Sequence, residues 1–314
     1  MMLKCDHVLE KTSCHFGWSR DHTPQLTIAP GESVEVRITD TGGGEITLES
    51  TADDVSSMNF DRFMPLTGPI VVEGAKPGDA LKVTFLGFKP SGWGWSMISS
   101  MYGILPDQFS DTFLKIWQYD PSGRSPIDYE GKASIPLRPF PGVIGMARDC
   151  EETLPCLQPH TSGGNLDVRD LSEGTELYLP VEVDGGLLSL GDTHVAQGHG
   201  ELAGTALESP VDVLIKVELV KEAGIAAPQF ITRSHPNAHV DKRGYFVTCG
   251  ISSDLREGAR QATSQMIDLL CRLHSLSAID AYLLCSLCGD LIINEMVNRP
   301  VNVVSLYFPK SVFE

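Results

Sequence analysis

The sequence predicts an α+β fold, with a β-rich part over residues 1–221, sandwich or barrel-like, and an α/β C-terminal region over residues 222–314. Three observations carry that expectation. Between Pro24 and Lys221, apolar and polar residues alternate with the period of two expected of half-buried strands. Glycine and proline turns interrupt the alternation at short intervals. After Gly250 the apolar spacing changes to that of a helix.

The strands are expected in QLTIAPGESVEVRITD, PIVVEGAKPGDALKVTFLGF and TELYLPVEVDGGLLSLGD. Their turns, APGES, AKPGDA and VDGG, carry the residues a reversing chain needs, so antiparallel meanders packed face to face are predicted. The Gly/Trp-rich stretch PSGWGWSMISSMYGILPDQFSD breaks the alternation and reads as a loop. It is either a lid or pocket wall, or a connector whose Trp93 and Trp95 cover the core.

Farther on, Leu255, Ala259, Ala262, Met266, Leu269, Leu270 and Leu273 fall on one helical face, and Asp254 with Glu257 resembles a capping box. A second helix is expected to start near Ser277 and to run through AIDAYLLCSLCGDLII. The tail VNVVSLYFPKSVF reads as a buried closing strand.

Hydrophobic residues make up 42% and charged residues 21%, enough apolar material for a large core. Asp and Glu (41) outnumber Lys and Arg (24), a net charge of −17 that repels phosphate backbones and anionic lipid. Neither nucleic acid nor membrane is expected as a partner. No apolar run approaches the roughly 20 residues needed to cross a bilayer, and MMLKCDHVLEKTSC lacks the apolar region of an export signal, so a cytoplasmic location is expected. The eight cysteines are scattered; Cys285 and Cys288 form a C-x-x-C inside an apolar helical run, where they read as structural.

The densest polar cluster is GDTHVAQGHGE, Gly191 to Glu201, after the apolar GGLLSL. Asp192 and His194 are two apart, so on an extended chain their side chains share a face and can converge on one ion. Imidazole with carboxylate suits zinc and its neighbours better than calcium. Glycines at 198 and 200 let the backbone bend and bring Gln197, His199 and Glu201 back toward the strand end. Glu201 is then placed to act as a base and afterwards to protonate a leaving amine.

A second cluster, TSGGNLDVRDL, starts with a Gly-Gly turn at 163 and 164. Asn165 can hydrogen-bond substrate or water, and Asp167 can complete a metal shell or orient a ligating histidine. His15 in HFGW is a further candidate ligand, with a surface role as its alternative, and Thr67 in PLTGPI sits where backbone can approach a substrate. Rival chemistries lack their motifs: there is no G-x-S-x-G elbow, no nucleophilic-cysteine signature, no P-loop and no dinucleotide fingerprint.

In this order these residues resemble the acetamidase/formamidase family. The resemblance runs from HFGW through PLTGPIVVEGAKPGD, PLRPFPGVIGMA, GGNLDV and LYLPVEVDGGLLSLGDTHVAQGHGE to SAIDAYLLCSLCGDLIINEMV and the closing FPKSVF, nearly the whole chain. It implies hydrolysis of a short amide such as formamide or acetamide to carboxylate and ammonia, a divalent metal with zinc foremost, a β-rich first part, an α/β later part and a homo-oligomer of two or more copies. Residue by residue, the family's G-D-x-H-x-x-Q-G-D-G-E segment falls on Asp192, His194, Gln197 and Glu201, its G-G-N-x-D on Asn165 and Asp167, and its early histidine on His15. Two departures stand out. His199 occupies the position of the family's aspartate, and Gln229 and Phe230 lie where a proline-acid-threonine pattern is expected.

The resulting expectation is a metal held by Asp192, His194 and either His15 or Asp167, a proton shuttle at Glu201, and substrate contacts from Asn165, Gln197 and Thr67. The competing expectation is a non-catalytic protein that keeps the fold and binds an amide without cleaving it, for which His199 is the best support.

Overall fold

The computed structural model describes residues 5–123, 125–232, 243–295 and 302–313. Two large sheets pack face to face. The first runs, edge to edge, through His7–Leu9, Ser33–Val36, Val211–Val220, Ala80–Pro90, Glu176–Pro180 and Gln229–Ile231. The second has ten strands, and its main path is Pro159–His160, Gly163–Asn165, Phe140–Met146, Leu188–Ala196, Leu207–Glu208, Trp93–Ile98 and Phe113–Gln118. Leu66–Val72 joins it through Leu188–Ala196 and itself pairs with Cys14–His15 and Leu26–Ile28.

Alternation decides which side chains meet between the layers. Val34, Val36, Val83, Phe85, Val213 and Ile215 of the first sheet pack in one cluster with Ile70, Val72, Ile144, Leu188 and Leu190 of the second, all without exposed surface. Each such side chain stabilises the fold by roughly 1.5–3 kcal/mol. The β-rich part is the sandwich that the alternating pattern predicts.

Its wiring is less simple than stacked meanders. The chain leaves the first sheet at Pro90, enters the second at Trp93, and returns from Glu208 to Val211. Two pairings are parallel, Leu26–Ile28 with Leu66–Val72 and His7–Leu9 with Ser33–Val36. The Gly/Trp-rich stretch, expected as a loop, opens as the strand Trp93–Ile98, because tryptophan and isoleucine fit a pleated, half-buried surface. Trp95 is fully buried and donates its Nε1–H to Asp40 Oδ2 at 2.9 Å.

The C-terminal helices are Leu255–His274 and Ala278–Cys288, capped at their N-termini by the side chains of Asp254 and Ser277. Ala259, Ala262, Met266 and Leu270 form the packed stripe, whereas Leu273, in the last turn, is 52% exposed. The second helix ends at Gly289, earlier than expected, and Asp290–Glu295 is a strand. Short apolar runs fit buried helix and buried strand alike. Here the strand pairs with the closing strand Asn302–Pro309, which also pairs with Tyr245–Ser252. Val301 of the expected tail lies outside the described residues. Cys285 and Cys288 are buried in the helix. One apolar cluster joins Trp117, Tyr129 and Leu207 to Met266, Leu270, Tyr282 and Leu306, so helices and sandwich share core material.

Candidate active site

Leu188–Ala196 lies inside the ten-stranded sheet and is buried along its whole length. Its neighbours bring the candidate residues together. Phe140 stands opposite His194 on one side, and Glu208 stands opposite His194 on the other. Phe140 also meets the imidazole edge-on at 5.1 Å. Gly163–Asn165 pairs with the far edge of Phe140–Met146, which carries Asn165 and Asp167 toward the same region. Gly163 and Gly164 were expected in a turn, but they form this strand with positive φ; a Cβ on Gly163 would meet Ile144 O at 2.4 Å.

At the centre is His194, fully buried. Its Nδ1 lies 2.8 Å from Gln197 Oε1, and Gln197 Nε2–H donates to the Asp167 carbonyl at 3.0 Å. Because an amide oxygen only accepts, Nδ1 carries the hydrogen and Nε2 is turned to the other side. There it lies 3.1 Å from both Asp192 Oδ1 and Glu208 Oε2. Asp167 Oδ1 is 3.8 Å from Nδ1, and Asp167, His194 and Glu201 form a second close group. Gly142 makes room for this arrangement, since a Cβ there would meet His194 Cε1 at 2.6 Å and Asp167 Oδ1 at 2.8 Å.

Two buried carboxylates, Asp192 and Glu208, and two half-buried ones, Asp167 and Glu201, thus surround one imidazole. Burial, and then Asp192, push the Glu208 carboxyl up to about 8. Burial pushes Asp167 up to about 7, and burial together with Asp167 lifts Glu201 well above the usual carboxylate range. Burial works in the same upward direction on Asp192, but His194 outweighs it and holds that carboxyl low. His194 is raised well above its ordinary value, since Glu208 and Asp192 overcome the burial that opposes its charge. Such a cluster needs positive charge, whether from protons or from a cation.

The residues fit a divalent cation. Ligand atoms about 2.0–2.2 Å from one ion sit roughly 3 Å apart, the separation of His194 Nε2 from its two carboxylates. With Nδ1–H engaged, Nε2 donates to neither carboxylate in the neutral imidazole and to one in the protonated ring, and Glu208 Oε2 and Asp167 Oδ1 are buried without a hydrogen-bond partner. Asp192, His194 and Glu208 are the better group, because Gln197 already occupies Nδ1.

A cavity of about 400 Å³ opens onto this cluster, lined by Asp167, Asp192, Glu201 and Glu208 together with Thr41, Asn165 and apolar residues. Asn165 presents a buried Oδ1 with no partner, while its Nδ2–H donates to the Leu157 carbonyl at 3.4 Å. Tyr102 and Gly103, from the second half of the Gly/Trp-rich stretch, form part of the wall. Eight non-glycine residues have left-handed backbone among the described residues, and four of them, Met64, Asp167, Asp192 and Glu201, line this cavity. Such backbone clusters where function demands an otherwise unfavourable conformation.

Not every candidate converges. His15 has both ring nitrogens engaged, Nδ1 with the Gly17 carbonyl and Nε2 with Ser189 Oγ, each at 2.9 Å, and it belongs to neither close group. Thr67 is buried and donates to the Arg37 carbonyl at 3.0 Å. Gln197 holds the back of His194. His199 lies outside both groups, with Nε2 3.8 Å from Asp170 Oδ2. Glu208 is absent from the sequence-derived candidates; its signal is a lone acid in the run AGTALESPV.

The chain as a whole finds its counterparts in one family. The family described as Acetamidase/Formamidase matches residues 4–155 and 146–314. The chain belongs to the acetamidase/formamidase family. Membership places it among amidohydrolases. A formamidase of Methylophilus methylotrophus is 29% identical, over 76% of this chain and 72% of its own. An acetamidase of Mycolicibacterium smegmatis is 27% identical, over 60% of this chain and 61% of its own. Among solved structures, an acetamidase from Bacillus halodurans is 31% identical with a TM-score of 0.68, covering 96% of this chain and 97% of its own. A gamma lactamase from Delftia acidovorans shares the fold with a TM-score of 0.88 at 24% identity, covering 98% and 93%.

Proposed function

We propose that this family member is a metal-dependent hydrolase that cleaves the C–N bond of a small linear carboxamide, formamide- or acetamide-like, to carboxylate and ammonia. The observation that carries the reading is the set of four carboxylates, two buried and two half-buried, around His194 on the wall of a cavity. Asp192, His194 and Glu208 would hold a divalent cation, with zinc favoured by the imidazole and carboxylate donors. Such an ion supplies polarisation of the amide carbonyl and a more acidic water.

The chain's own residues do the rest. Glu201, on the cavity wall and with its affinity for protons raised by burial and Asp167, takes a proton from water and returns it to the departing amine. Asn165 orients the amide through its unpartnered Oδ1, which can accept from an amide N–H. Gln197 fixes the tautomer of His194.

Seven described cysteines are free, which supports a reducing, cytoplasmic setting. Val247, Ile251 and Ile292 are exposed on the three-stranded sheet, an apolar face that supports a homo-oligomer. The test is metal analysis of the purified protein with ammonia release from formamide and acetamide, before and after chelation and metal return. Ammonia that disappears and returns with the metal supports the reading. Saturable amide binding with no ammonia favours the binding-only alternative.

A further inference from the structure

The cavity is large for the smallest amides. A four-heavy-atom amide fills on the order of 100 Å³ if each group takes about the roughly 30 Å³ of a water molecule, whereas the cavity measures about 400 Å³. Its charged groups are all in the carboxylate cluster; Thr41, Gln158, Asn165 and Thr205 add neutral polar groups, and much of the remaining wall is Phe63, Met64, Met97, Tyr102 and Leu157. Beside it lies a second cleft of about 470 Å³ that shares Phe63, Met64, Tyr102 and Leu157 with the first. This outer cleft adds Phe16, Phe60 and Met101, each more than a third exposed. Among the described residues no lysine or arginine lines either cleft, so none of them neutralises an anionic group on a substrate.

We propose that the two clefts form one binding surface for an uncharged amide whose acyl group is apolar and of aryl or branched-alkyl size. The proposal rests on the amide-hydrolase reading and adds its substrate class: the carbonyl sits at the carboxylate cluster and the apolar group lies along Phe63, Tyr102 and Leu157 toward Phe60 and Met101. Exposed apolar side chains gathered at the mouth of a catalytic cavity are what such a substrate would cover. Continuity with the cluster, through four shared residues, favours a substrate over a second protein chain as the occupant.

The test compares acetamide with phenylacetamide on the metal-loaded protein. Phenylacetamide should have the higher kcat/KM by roughly tenfold or more, expressed mainly as a lower KM, since contacts remote from the carbonyl bind ground and transition states alike. Met101→Lys and Phe60→Asp, at exposed positions outside the carboxylate cluster, should abolish that preference and leave acetamide kcat/KM unchanged. Acetamide turnover with equal or lower kcat/KM for phenylacetamide overturns the substrate class and leaves the hydrolase reading standing. A fall in assembly mass by light scattering in both variants, with the preference intact, also overturns it and assigns the patch to contact between copies. Should no amide release ammonia, the hydrolase reading falls, and calorimetric titration with phenylacetamide decides the surface. Saturable binding weakened by Met101→Lys supports it, and no binding overturns it.

Discussion

Glu208 stands directly across the sheet from His194, its Oε2 3.1 Å from Nε2 and without a hydrogen-bond donor of its own. That pairing makes Glu208 the strongest addition to the ligand set. Replacing Glu208 with Gln preserves shape and removes the charge, so metal content should fall to background and activity by at least about 100-fold. Metal analysis on the purified variant checks this, and a fully loaded variant removes Glu208 from the set.

Glu201 should behave differently. It lines the cavity but lies outside the group around Nε2, so Glu201→Gln is expected to keep its metal while kcat drops by about 10²–10⁴-fold, the usual worth of a general acid or base. Loss of metal in this variant would move Glu201 from proton transfer to ligation.

Gln197→Leu removes the acceptor that fixes Nδ1–H and the donor to the Asp167 carbonyl. Orienting partners of this kind are typically worth 10–100-fold in metal affinity or activity. Competition with a chelator should therefore show weaker binding at unchanged stoichiometry; unaltered affinity would show that the packing of Phe140 alone suffices.

Gly142→Ala places a methyl 2.6 Å from His194 Cε1, and the imidazole has nowhere to go inside a fully buried strand. About 1–3 kcal/mol of stability should be lost through overpacking, with activity falling further than stability explains. Thermal denaturation beside kinetics on the folded fraction separates the two effects.

The acid side of the stability profile belongs to two other histidines. Burial holds both His15 and His160 down to about 4 from the ordinary 6.5, reinforced by the charges of His22 and Arg148 respectively. The unfolded chain takes up protons below 6.5 that the folded chain refuses until about 4, so the contribution of these two histidines to stability is flat above 6.5 and falls as pH drops through that window. His160→Gln should flatten the profile of melting temperature against pH; an unchanged slope would assign the acid sensitivity elsewhere.

Much of the site is legible in sequence because its members are close along the chain. Asp192 and His194 share a face two residues apart, and Gly200, with positive φ, precedes Glu201 where the chain turns back into the same cavity. Glu208 escapes that logic, since strand register sets it against His194 and no local spacing reports register. His15 looks equally polar in sequence, yet backbone and hydroxyl partners occupy both its nitrogens. The sandwich was legible through alternation, but the passage of the chain between sheets at Pro90 and Glu208 was not, because a turn motif looks the same whether its strands pair or part. The helix-to-strand change at Gly289 is hidden for a related reason: a short run of leucine and isoleucine suits either element, and here it forms a strand with Ile292 and Ile293 exposed.

The left-handed backbone at Asp167, Asp192 and Glu201 sets stability against catalysis at the same three positions. Glycine at any of them would relieve a conformational penalty of about 1 kcal/mol and also remove one carboxyl from a crowded acidic cluster. A laboratory selection that rewarded only heat resistance would therefore be drawn to these positions first, and would deliver a sturdier protein with a dismantled centre.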